Sequence, residues 1–131
     1  MEYKIIKVDT KEIEYNYVNC DTCKIFLNGF LIGRYNITKN EYTPAVDNWF
    51  SIEDYFKKLT QRQQKIVLIN ANKYFYNIYK KIYYDKLKNG EFFAPAEENL
   101  KEQLYCSEKM LRCENNILNI KNEKENKKWK N

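Results

Sequence analysis

Between Lys57 and Lys88 the chain reads KKLTQRQQKIVLINANKYFYNIYKKIYYDKLK, and its cations recur with a helical period. At 100° per residue, Arg62, Lys73, Lys80, Lys81 and Lys88 fall in one sector, with Gln63, Asn70 and Asn77 among them. Val67, Leu68, Phe75, Ile78 and Ile82 fall on the broad opposite side, and Tyr76, Tyr83 and Tyr84 flank the cations. Lysine and arginine neutralise phosphates, asparagine and glutamine donate to phosphates or base edges, and tyrosine stacks on unpaired bases. The stripe therefore suits nucleic acid, or an acidic groove on a protein. A plain solvated face would look similar, because any helix of a small domain needs a polar outer side. Lysine also lacks the planar fork with which arginine grips phosphates and bases in pairs.

The charge is placed unevenly. Residues 51–90 hold nine basic and three acidic side chains, whereas 1–50 hold six and seven, and 91–131 hold eight of each. The net +5 is thus carried by the segment that bears the stripe. A local excess of this kind bears on partners rather than on fold.

Other chemistry is restricted by what is missing. With no histidine there is no Ser–His or Cys–His nucleophile pair and no imidazole acid–base. The only glycines are Gly29, Gly33 and Gly90, so neither a P-loop nor a GxGxxG loop can be written. Glu12 with Glu14, and Glu53 with Asp54, read as solvated strand positions and a helix N-terminus; carboxylate or Tyr/Lys catalysis by a small enzyme stands as the third reading.

Cys20 and Cys23 have the CxxC spacing of redox and zinc sites. Cys106 and Cys113 lie seven apart on a helical pattern, roughly 10 Å along the axis, too far to share one ion easily. They read as small buried apolar residues. No metal site and no cofactor are expected.

The elements that must position these residues are legible in outline. The first part alternates as strands do, with Tyr3, Ile5 and Lys7 opposing Lys4, Ile6 and Val8, and Ile13, Tyr15 and Tyr17 opposing Glu12, Glu14 and Asn16. Asn28-Gly29 supplies the two positive-φ residues of a type I′ turn. That register sets Ile25, Leu27, Phe30 and Ile32 on one face of a hairpin and Phe26 and Leu31 on the other.

Ser51 with Glu53 and Asp54 reads as a helix start, and Thr60 followed by Gln63 repeats the cap-and-Gln spacing. Either a short helix at 51–59 precedes a new one, or one helix runs through. Asn89-Gly90 predicts the helix end. Pro95, Glu97 and Glu98 open a last helix, with Leu100, Leu104, Leu111 and Leu118 on one stripe beside Cys106, Met110, Cys113 and Ile117. This stripe is expected to pack against the preceding helix, and it also allows a homodimer through the C-terminal helix.

The expectation is one α+β domain over 1–131. An N-terminal three- or four-stranded antiparallel meander occupies 1–43. Two long helices packed as a helical hairpin occupy 51–122, and a frayed tail occupies 123–131. With no secretory leader pattern and no apolar run of membrane length, the chain is expected in the cytoplasm of a bacterial host cell. Lys, Asn, Ile and Tyr, whose codons are A/T-rich, make up 62 of the residues, which points to a low-GC bacterium or its phage or mobile elements.

The function expected is that of a small non-enzymatic binding protein. It would obstruct or regulate a bacterial nucleic-acid-handling complex such as an immune nuclease, with a protein or nucleoprotein as partner. The alternative is a direct nucleic-acid-binding regulator. The contact residues expected are Arg62, Gln63, Asn70, Lys73, Asn77, Lys80, Lys81, Tyr84 and Lys88.

Overall fold

A computed structural model describes residues 12–45, 56–93 and 96–123. The expected strand at 3–8, the cap at Ser51 and the tail from 124 onward lie outside these residues. The described strands are β1 (Ile13–Asn19), β2 (Thr22–Leu27), β3 (Phe30–Asn36) and β4 (Glu41–Pro44), followed by helices α1 (Gln61–Phe93) and α2 (Ala96–Asn122). The strands pair in chain order as an antiparallel meander, and the two helices pack together. The fold class is α+β with a helical hairpin, as the patterning predicts.

The β2–β3 turn has the expected chemistry. Asn28 (φ 51°) and Gly29 (φ 84°) both take the left-handed conformation that a type I′ turn requires. Asn28 also ties the turn to the first strand: its amide donates to the Glu12 carbonyl at 2.8 Å, and its Oδ1 accepts from the Glu12 amide at 2.9 Å.

Beyond the turn the register shifts. Phe26 faces Leu31, but Ile25 faces Gly33, so Ile32 is an extra residue in β3. This bulge lets two consecutive residues, Ile32 and Gly33, both turn inward. Phe30, expected on the same face as Ile25, Leu27 and Ile32, is instead largely exposed at the hairpin tip. Phe26 is half-buried and Leu31 exposed on the far face.

The start of α1 is a reciprocal capping box. Thr60 Oγ1 accepts from the Gln63 amide (3.1 Å), and Gln63 Oε1 accepts from the Thr60 amide (3.0 Å). Gln64 Nε2 donates to the carbonyls of Phe56 and Leu59, both at 3.0 Å, which secures the turn before the helix. One helix does not run through: residues 56–60 form a turn, and α1 begins at Gln61. It ends at Phe93 rather than at Asn89-Gly90. A glycine inside a helix costs only about 1 kcal/mol, so Gly90 is passed over, and Pro95 is the stronger stop two residues on.

The helices run antiparallel with a readable register. Lys65 Nζ donates to the Glu123 carbonyl, Asn72 meets Asn116, and Tyr79 lies edge-on to Tyr105 with ring centroids 6.0 Å apart. From the sheet, Tyr15 donates to the Val67 carbonyl at 2.7 Å, and Tyr79 donates to the Cys20 carbonyl. The core gathers Ile25, Ile32, Tyr35, Tyr42, Phe56, Phe75, Cys113 and Ile120 between sheet and helices.

One expectation about α2 is reversed. Cys106, Cys113, Ile117 and Ile120 are buried, whereas Leu100, Leu104, Leu111 and Leu118 are all more than half exposed. Periodicity showed that the leucines share a face but not which face meets α1. The smaller Cys and Asn side chains occupy the contact, where Asn116 reaches both α1 and the β3–β4 turn.

Candidate functional site

The sequence-derived stripe is divided by the core. From Val67 to Asn72 six consecutive residues are buried, so α1 is enclosed on all sides there. Asn70 is fully buried, with its side chain hydrogen-bonded to Tyr15, and is not a surface contact. Ile66, which shares the cationic sector on a helical wheel, and Ile69 at its edge pack against or in the core. A helix wedged between a sheet and a second helix has no continuous outer face at its centre, and a wheel drawn from one helix cannot register the second covering element.

At the N-terminal end Arg62 is exposed, while Gln63 is engaged in the capping box. Arg62 lies eleven residues before Lys73, about 16 Å along the axis. These two positions are therefore separate from the rest of the proposed set.

Past the buried centre the remaining residues do come together. Lys73, Asn77 and Lys80 are partly exposed, and Lys81 and Tyr84 are exposed. Of Lys88 only the helical backbone is described. Tyr83 meets Tyr84 edge to face at 5.5 Å, so an aromatic pair flanks Lys80 and Lys81. Lys73 has its pKa lowered, first by partial burial and then by the charge of Lys121 from the last turn of α2. Lys121 thus adds a cation that reading α1 alone did not supply; a lysine in the last turn of an antiparallel partner helix was the only signal for it.

No protein-family model, curated protein or solved structure matches the chain. The assignment of a role rests on the chemistry of its own surfaces.

Glu12 and Glu14 are exposed strand positions; Glu53 and Asp54 lie outside the described residues. An open cleft of about 240 Å³ on the outer side of the sheet is lined by Thr22, Arg34, Asn36, Lys39, Glu41 and Thr43. Glu41 is the one carboxylate lining it, so this cleft holds no carboxylate pair for general acid and base work. Among the described residues no group of three Cys, Asp or Glu could hold a metal ion. No helix of the described residues is long and apolar enough to cross a membrane.

The cysteines divide by environment. Cys20 is exposed; Cys23, Cys106 and Cys113 are buried, and all four are free thiols. Burial pushes the Cys23 and Cys113 thiols up to about 12, so both are protonated and unreactive near neutral pH. Alkylation of the native protein is expected to modify Cys20 and spare the other three until denaturant is added. Mass mapping that finds Cys23 modified as fast as Cys20 would contradict this placement.

Proposed function

We propose that this chain is a non-enzymatic binding protein that occupies a surface of a nucleic-acid-handling complex, and that the exposed C-terminal half of α1 makes the contact. The observation that carries the reading is the placement of Lys73, Lys80 and Lys81 along the accessible C-terminal half of α1, beside the Tyr83–Tyr84 pair. Cations held near one another raise the local potential and favour a polyanionic partner. Exposed tyrosine next to them provides a stacking surface for unpaired bases. The low-GC composition favours a bacterial complex, with an immune nuclease as the example that suits a phage or mobile-element protein.

The alternative, a regulator that binds free nucleic acid directly, draws on the same residues. The two differ in salt dependence and in the need for a protein. Direct phosphate contact weakens steeply as salt rises, whereas reversal of charges facing an acidic protein groove acts mainly on the association rate.

The test is charge reversal with a matched control. Lys73→Glu, Lys80→Glu and Lys81→Glu together are expected to reduce capture of the partner from bacterial lysate at least about tenfold, with the far-ultraviolet circular dichroism unchanged. Reversing Lys124, Lys127 and Lys128 shifts net charge equally and should leave capture near the wild-type level. Nuclease treatment of the lysate separates a nucleoprotein partner from free nucleic acid. If both triplets behave alike, the basic helix is a solvated face and the proposal fails.

A further inference from the structure

The open cleft on the outer side of the sheet is built from three strands and one turn. Strand pairing lays its floor in two rows. Thr22, Asn36 and Glu41 form the first, and Arg34 beside Thr43 forms the second. Lys39 lines it from the β3–β4 turn. Side chains alternate across a strand, so these residues face away from Cys23, Tyr35 and Tyr42, which are buried on the other side.

The turn that carries Lys39 is tied to the core. The Ile37 amide donates to the Asp21 carbonyl at 2.8 Å, and the Ile37 carbonyl accepts from Asn116 Nδ2 at 2.7 Å. The Lys39 amide donates to Asn36 Oδ1 at 2.9 Å, and Asn40, at φ 51°, accepts from the Tyr35 hydroxyl. The backbone around the cleft is therefore set before any ligand arrives, which lowers the ordering cost of binding.

The lining holds donors that the protein itself leaves unused. Arg34 and Glu41 lie on a diagonal of the β3–β4 pair, within reach of an ion pair. Among the described residues, neither they nor Lys39 forms one. Thr22 is spent, because its hydroxyl donates to Asp21 Oδ1 at 3.1 Å and accepts from Asn36 Nδ2 at 3.4 Å. Asn36 keeps a second amide hydrogen and Thr43 its hydroxyl.

We propose that this cleft binds a small phosphate monoester bearing a hydroxyl near its phosphate. The planar fork of Arg34 matches two phosphate oxygens, and Lys39 adds a point charge for the third. Asn36 and Thr43 supply the remaining donors. A carboxylate offers only two oxygens to the same set. Glu41 works against a bare anion and accepts from a ligand hydroxyl, so it sets the selectivity. Lys24, opposite Arg34 on β2, and Asp21, behind Thr22, add one charge of each sign at the margin.

Size and walls narrow the occupant further. At about 240 Å³ the cleft is smaller than the roughly 300–1,000 Å³ of drug-sized sites. Its one aromatic residue, Tyr35, is fully buried with its hydroxyl on Asn40 and Asn72, so a nucleobase finds no ring to stack on. None of these residues belongs to the basic half of α1, so failure of either proposal leaves the other standing.

Titration of the isotope-labelled full chain with glycerol phosphate, up to about 10 mM, tests the proposal by amide chemical shifts. Saturable shifts are expected at Arg34, Asn36, Lys39 and Thr43, with inorganic phosphate and glycerate each binding more weakly. Arg34→Gln should weaken glycerol phosphate at least about tenfold and leave the circular dichroism unchanged, since the side chain is exposed. Glu41→Gln should improve inorganic phosphate and narrow the preference for glycerol phosphate. Absence of saturable shifts at the cleft, or binding indifferent to Arg34→Gln, overturns the site. Glycerate binding as tightly as glycerol phosphate overturns the phosphate assignment. Tighter binding there of an oligonucleotide with a terminal phosphate overturns the small-molecule assignment.

Discussion

Replacing Gly33 with alanine is expected to destabilise the domain by on the order of 3 kcal/mol, from the addition of one methyl group. A Cβ built on Gly33 would lie 2.3 Å from Tyr42 Oη and within 2.5 Å of two ring carbons. Neither partner can yield cheaply. Tyr42 is buried, its hydroxyl donates to the Ile32 carbonyl at 2.6 Å, and its ring stacks on Phe56 at 4.0 Å. Moving the ring breaks a buried hydrogen bond and opens the β4–Phe56 contact; moving the backbone undoes the bulge at Ile32.

The check is thermal melting with two companions. Gly29→Ala meets open space and suffers only the cost of a positive φ, about 1 kcal/mol. Gly33→Ala combined with Tyr42→Leu should cost less than the two changes summed, because the second removes the ring that the methyl strikes. Strict additivity, or a Gly33→Ala melting point equal to wild type, would show that Gly33 is not held against Tyr42.

Why Gly33 matters was not legible in the sequence, although much around it was. Asn28-Gly29 identified its turn because positive φ at two successive residues restricts the choice of residue so strongly. Thr60 and Gln63 identified the helix start because a capping box is complete within four residues. These are local constraints, decided by neighbours in the chain. The bulge at Ile32 depends on what lies across the sheet, and the requirement for glycine depends on the Tyr42 ring, which reaches over from the neighbouring strand where Tyr42 pairs with Tyr35.

The helices show the same division. Periodicity grouped the α2 leucines correctly and the α1 cations partly, but it assigns residues to a shared face without saying what covers that face. The leucines turned outward because Cys106, Cys113 and Asn116 let α2 lie on α1 while its amide reached the sheet. The cationic sector was split because sheet and α2 enclose α1 together between Val67 and Asn72. What remained of the candidate site, Lys73, Asn77, Lys80, Lys81 and Tyr84, is the part of the sector beyond that enclosure.

Asn116→Asp is expected to be among the most damaging single substitutions, though it exchanges an amide nitrogen for an oxygen and leaves shape unchanged. Asn116 is 2 % exposed, and its Nδ2 donates to the Ile37 carbonyl at 2.7 Å and to Asn72 Oδ1 at 2.9 Å. Asn72, wholly buried, donates in turn to the Tyr35 hydroxyl at 2.8 Å and to the Leu68 carbonyl at 2.9 Å. The Tyr35 hydroxyl donates to Asn40 Oδ1. The chain of donors joins α2, α1, β3 and the β3–β4 turn, and its direction is fixed by the two acceptors that Asn116 serves.

An aspartate there would set a carboxylate against two acceptor oxygens in the interior, a loss on the order of 4 kcal/mol. Asn116→Leu removes the donor without adding charge and should cost less, on the order of 2 to 3 kcal/mol for the acceptors left unserved. The acidic variant should also carry a pH signature. Burial raises the folded pKa of the new carboxyl above the unfolded value near 3.9, so the protonated form, which can donate one hydrogen bond, favours folding. The variant should therefore lie nearest to wild type below that pH and lose ground as pH rises toward neutrality. Denaturant midpoints for the three proteins at acid and neutral pH decide the matter. An Asn116→Asp midpoint within about 1 kcal/mol of wild type at neutral pH would mean that side-chain volume, and not the directed amide chain, fixes how α2 sits on the sheet.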